Sequence, residues 1–79
     1  MSDTATADEQ AWLRGVGMRV RLARVSQSES QAALGARAGV SRVTVGSIER
    51  ADHPAGVLAY VRLAQAIDLP LTELLDGAP

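Results

Sequence analysis

The sequence predicts an all-α fold of five helices, and three observations carry that prediction. No segment sustains the period-two alternation of a strand. Apolar residues recur instead at three- and four-residue steps, in runs bounded by capping or turn residues. Between residues 30 and 50 two such runs are separated by only three residues, the length of a tight turn between two helices. With 79 residues the chain has room for one small domain, of a size that commonly depends on a disulfide, a metal or self-association. There is no Cys and a single His, which removes disulfides, thiol chemistry and zinc–thiolate sites and leaves self-association.

The elements follow in order. Residues 1–10 are polar and acidic and are expected to form a disordered segment without a secretion signal. The folded domain is expected over residues 11–76. Near the end of that segment, Thr6-Ala7-Asp8-Glu9 fits a capping box, with Thr at the N-cap and Glu at N3. A first helix then runs to about Arg24. Leu13, Val16, Val20 and Ala23 form its inner face, and Gly15 and Gly17 weaken it. Ser26-Gln27-Ser28-Glu29-Ser30 marks a loop and the next cap. A second helix is predicted over about 31–38 and stops at Gly39. After Val40, Ser41 caps a third helix over about 42–50. Ala51-Asp52-His53-Pro54 reads as a loop. A fourth helix is predicted over about 57–67, with Val57, Tyr60, Leu63, Ala64 and Ile67 facing the core. Pro70 ends the following linker, and residues 71–76 form a short fifth helix with Leu71, Leu74 and Leu75.

Charge narrows the function. The net charge is −1, from eight Arg and no Lys against nine Asp and Glu. Residues 1–11 hold Asp3, Asp8 and Glu9 and no Arg, and residues 68–79 hold Asp68, Glu73 and Asp76 and no Arg. Residues 12–67 carry all eight Arg against Glu29, Glu49 and Asp52, a surplus of five. A basic body between acidic ends suits a nucleic-acid partner. No run of apolar residues is long enough to span a membrane, and the cytoplasm is the expected location. No nucleophile–base pair, carboxylate dyad or phosphate loop is visible, so the chain reads as no enzyme. No cofactor and no metal are expected: His53 has no companion ligands and reads as a turn residue.

Residues 30–50, SQAALGARAGVSRVTVGSIER, carry the most information. A turn this short containing a Gly sets two helices at about 90–120°. Gly35, one turn before Gly39, provides the small residue that such a crossing needs. Leu34, Ala38, Val40, Val45 and Ile48 fall inward, whereas Arg42, Val43, Gly46, Ser47 and Arg50 fall on an outer, basic face of the third helix. A helix with such a face fits a major groove.

Gln31, Leu34, Gly35, Gly39-Val40-Ser41, Thr44-Val45 and Ile48-Glu49-Arg50, with Arg21-x-x-Arg24 upstream and Leu63-Ala64-Gln65-Ala66-Ile67 and Leu69 to Leu75 downstream, resemble the Cro/repressor-type (XRE-like) helix-turn-helix family. That family includes small regulators such as restriction–modification controller proteins. The resemblance spans about residues 13–76 and implies a compact five-helix lambda-repressor-like domain that binds double-stranded DNA. Three positions depart from the family's habit. Gly35 stands where Ala is usual. Ala51 stands where Gly commonly ends the third helix, so either Ala51 takes a left-handed backbone or Asp52 does. Pro70 stands where a small polar cap is usual, and it fits the first turn of the fifth helix.

The same resemblance implies the roles. Gln31 would bridge a phosphate and a reading side chain, or is only a solvated polar start to the second helix. Arg24 and Glu49 would pair between the first and third helices and orient the latter, with two separate surface charges as the alternative. Arg42 is placed for direct readout, since Arg to guanine is the commonest specific base contact. A phosphate contact and a plain surface charge are its alternatives. Val43 meets a thymine methyl or is a stray exposed aliphatic. Thr44 donates to a phosphate or only packs. Ser47 reaches a base or a phosphate if the helix lies deep, which Gly46 would permit, and Arg50 contacts the backbone. Arg14, Arg19 and Arg37 add field rather than contacts.

The fourth and fifth helices hold more apolar residues than a domain this small can bury. Leu58, Val61, Leu69, Leu71, Leu74 and Leu75 are therefore expected in a homodimer interface, with third helices about 34 Å apart on a palindromic site. Trp12 joins that contact or another, or caps the core. The leading reading is a sequence-specific, dimeric transcription regulator. The alternative is an antitoxin that binds a toxin protein and autoregulates its operon.

Overall fold

The computed structural model describes residues 5–76. It contains α1 (Ala7–Ser26), α2 (Gln31–Ala38), α3 (Arg42–Arg50), α4 (Val57–Ala66) and α5 (Leu71–Leu74), with no strand among the described residues. Its polypeptide begins differently from the sequence expectation. The first helix starts at Ala7, so Ala7–Gln10 are helical and not part of a disordered segment. Thr6 and Glu9 form the capping box, with Thr6 N–H donating to Glu9 Oε1 at 2.9 Å and Glu9 N–H to Thr6 Oγ1 at 3.1 Å. Gln10 then anchors the segment, its Nε2 donating to Ala51 O at 2.8 Å. The expectation for residues 1–4 lies outside the described residues.

Each later boundary has a local cause. The Ser30 hydroxyl accepts from Ala33 N–H at 3.0 Å, and the Ser41 hydroxyl from Thr44 N–H at 3.1 Å. Gly39 closes α2 in the left-handed region (φ 77°, ψ 32°). Ala51 closes α3 there as well (φ 56°, ψ 40°), so the strain falls on Ala51 itself and not on Asp52. Pro70 sits at the N-cap of α5, just outside its first turn, and its carbonyl accepts from Leu74 N–H at 3.0 Å.

The core joins all five helices: Val16 and Val20 of α1, Leu34 of α2, Val45 and Ile48 of α3, Tyr60, Leu63 and Ala64 of α4, and Leu74 of α5. The third helix packs on α1 and α2, while α4 covers α2 and α5 closes the gap between α4 and α1. Two glycines permit these close approaches. A β-carbon at Gly17 would overlap the Ile48 carbonyl oxygen and lie 2.9 Å from that of Glu49, and one at Gly35 would overlap the Val40 carbonyl oxygen. Gly17 therefore serves packing rather than marking a weak point, and Ala in place of Gly35 does not fit this backbone.

Polar ties fasten the periphery. Trp12 caps the core, its Nε1 donating to Leu75 O at 2.9 Å, and the Tyr60 hydroxyl accepts from Ala55 N–H at 3.1 Å. Arg37 does more than add field: it pairs with Glu29 (2.7 Å) and donates to the Ala66 carbonyl at the end of α4. Chiefly through that hydrogen bonding, Arg37 holds the Glu29 carboxyl below its usual range. This contact is therefore complete at neutral pH and is lost as pH falls through that lowered value.

The ion pair that sets α3 is bidentate. Arg24 Nε donates to Glu49 Oε2 at 2.7 Å and Arg24 Nη2 to Glu49 Oε1 at 3.0 Å, with Glu49 only 4% exposed. Arg24 Nη1 also reaches Glu29 O at 2.9 Å. The Glu49 carboxylate, mainly by hydrogen bonding, raises the Arg24 guanidinium above the ordinary arginine value.

One expected interface residue is instead core: Leu74 is fully buried, because α5 is a single turn and points that side chain inward. Leu71 and Leu75 are half-buried against the same cluster. Val57, expected to face the core, lies exposed beside Leu58 at the start of α4, while Val61 and Leu69 are half-buried. An apolar stripe of Met18, Leu22 and Val25 lies exposed on the outer side of α1, which periodicity assigned no role.

Three stability outcomes follow, each read from urea midpoints. Gly15→Ala should stabilise by about 0.5–1 kcal/mol, since a β-carbon there meets only the Arg19 side chain at 3.8 Å, whereas Gly17→Ala should cost about 2 kcal/mol or more. Glu49→Ala should cost about 3 kcal/mol or more by stranding Arg24, a large share of the about 4–12 kcal/mol that holds a domain of this size together.

Candidate nucleic-acid interface

The outward side of the α2–α3 pair is built on the Arg24–Glu49 bridge. Glu49 Oε1 also accepts from Gln31 Nε2 at 3.2 Å. An ionised carboxylate only accepts, so the Gln31 amide nitrogen must face it, and the carbonyl oxygen is left facing outward over Gly46. The first residue of α2 is thus oriented by the same group that orients α3.

Gln31, Arg42, Val43, Gly46 and Arg50 line one notch on this side. Arg42 opens the helix, is exposed, and makes no hydrogen bond or ion pair among the described residues. Val43 beside it is 69% exposed. Gly46 forms the floor: a β-carbon there would stand 2.9 Å from Arg50 Nη1 and 3.2 Å from Gln31 Oε1. Thr44 is half-buried next to Val43, its Oγ1 accepting from the Ser41 hydroxyl at 2.9 Å, and its own proton stays available for donation.

One expectation for the face needs correction. Ser47 is buried, not exposed, and its hydroxyl has no hydrogen-bond partner among the described residues. The loop after α3 packs beside it, with Asp52, His53, Ala55 and Gly56 around one recess with Ser47, and the hydroxyl is shut from solvent, so the reach expected of Ser47 is closed off. Arg50 stays exposed but has a partner: its Nε donates to Asp52 Oδ2 at 3.0 Å. Helical spacing hides that pair, because residues two apart do not face each other on a helix. The left-handed turn at Ala51 brings Asp52 round.

The geometry is that of two short helices about a tight glycine turn, with a basic, exposed side on the second. The helix-turn-helix family (HTH_3) matches residues 20–74. Among solved structures, the restriction–modification controller protein C.AhdI from Aeromonas hydrophila is similar at 32% identity, with a TM-score of 0.71, over 78% of this chain and 94% of that one. No curated protein matches. Among the described residues no helix is long and apolar enough to cross a membrane. The chain belongs to the helix-turn-helix family and is a DNA-binding transcription regulator, not an enzyme.

Proposed function

We propose that the chain is a sequence-specific regulator of the controller type to which its solved neighbour belongs, acting in the cytoplasm as a homodimer on a two-fold symmetric operator. The observation that carries this reading is the notch of α3: an unpartnered Arg42 beside an exposed Val43, with Gln31 and Arg50 closing its far side. In a major groove Arg42 donates to a guanine edge and Val43 packs on a thymine methyl. Thr44 and the N-terminal N–H groups of α2, which begin at Gln31, take phosphates. Ser47 has no part in it.

A two-fold contact through α4 and its link to α5 would pair the reading helices. Val57 and Leu58 support it, being 75% and 56% exposed, with the half-buried Val61 and Leu69 beside them. Leu71 and Leu75 form its inner margin. Two copies would place α3 at about 34 Å intervals, one turn of duplex.

Selection of bound sites from random DNA should yield a two-fold symmetric motif. On that motif Arg42→Ala should cost about 1–3 kcal/mol and relax preference at one base position, whereas an equal loss on every sequence would reduce Arg42 to a phosphate contact. Sedimentation equilibrium should give a dimer at micromolar concentration and a monomer for Leu58→Glu. A dimer that Leu58→Glu leaves intact would place the interface elsewhere.

A further inference from the structure

Arg50 lies in an arrangement that no helix-face reading anticipates. A side chain on a helix leans back over the preceding turn, and for Arg50 that turn carries Gly46. The missing β-carbon leaves Nη1 room to lie across the helix, 2.9 Å from where that carbon would be, with Gln31 Oε1 beside the same point. On the other edge, Asp52 Oδ2 sits 3.0 Å from both Nε and Nη2. Asp52 reaches there only because Ala51 adopts φ 56° and ψ 40°.

Both partners are exposed, 59% for Arg50 and 44% for Asp52, so in water the pair adds little to stability. Beside a polyanion, an added carboxylate opposes association. Neither consideration explains the pair, but its geometry does. With Nε and one side of Nη2 occupied, the donors of Nη1 point into the notch.

We propose that Asp52 is a positioning residue for DNA reading, holding the inner edge of Arg50 so that its guanidinium lies across Gly46 into the notch beside Gln31 and Arg42 and is kept from swinging to phosphates of any sequence. The proposal rests on the reading of this side of α3 as the DNA-contacting one. It makes Arg50 a fixed member of the reading set, and Asp52 the residue that trades total affinity for discrimination.

The test uses the full chain, its Asp52→Asn, Arg50→Ala and doubly substituted variants, the best duplex recovered by selection, and a random duplex of equal length, over a salt series. Asp52→Asn should tighten binding to the random duplex and steepen its log–log salt dependence by about 0.9 per protomer, one phosphate's worth. The ratio of selected to random affinity should fall about tenfold, the scale of one base contact. In the Arg50→Ala background Asp52→Asn should leave that ratio unchanged, and its urea midpoint should match that of the unsubstituted chain. A ratio that Asp52→Asn does not move, or moves equally without Arg50, overturns the proposal. Absence of salt-dependent DNA binding by the unsubstituted chain would instead sink the reading of the face itself, and the role of Asp52 with it.

Discussion

The Glu49 carboxylate sits almost out of water between three helices, and the rest of the structure is arranged around satisfying it. Arg24 from α1 takes both oxygens and Gln31 from α2 donates to one of them. Aliphatic packing resists separation but has little directional preference, whereas a bidentate guanidinium–carboxylate pair fixes an orientation. The rotation of α3 about its own axis is therefore set, and with it the side that Arg42 and Val43 present. Gly17 makes the bond possible, because any side chain there would push α1 off the Ile48 and Glu49 carbonyls.

The near-neutral charge acquires a spatial meaning from the same arrangement. The three acids of the central segment each hold one arginine: Glu29 with Arg37, Glu49 with Arg24, and Asp52 with Arg50. Arg14, Arg19, Arg21, Arg42 and Arg62 have no carboxylate partner among the described residues. Arg19 and Arg62 instead donate to the carbonyls of Leu74 and Gly39. These acids are thus each engaged by an arginine, Glu49 inside the fold and Asp52 at its surface, and the remaining arginines leave the central segment positive.

How much was legible depended on range. Caps, glycine stops and helix spacing act within four residues, so the bounds of α2 and α3 and the serine caps before them could be read directly. The start of α1 was readable from its capping box and misjudged from composition, since the tie of Gln10 to Ala51 spans forty-one residues. At the candidate site, Gln31, Arg42 and Val43 came to line the outward notch. Ser47 did not, because periodicity places a residue on a helix face but is blind to a loop that packs beside it. Leu74 was assigned to the surplus for a similar reason: a count of leucines does not say which one a single helical turn points inward.

By itself the sequence determined the all-α class, the helix-turn-helix register and the basic character of the central segment, because these follow from short-range periodicity, capping and composition. Only the tertiary structure decided which glycines are obligatory, how Glu49 joins α1, α2 and α3, and that Asp52 backs Arg50. Those outcomes depend on distances between residues far apart in the chain, or on a left-handed turn at an alanine, a conformation with no preference that local sequence would announce.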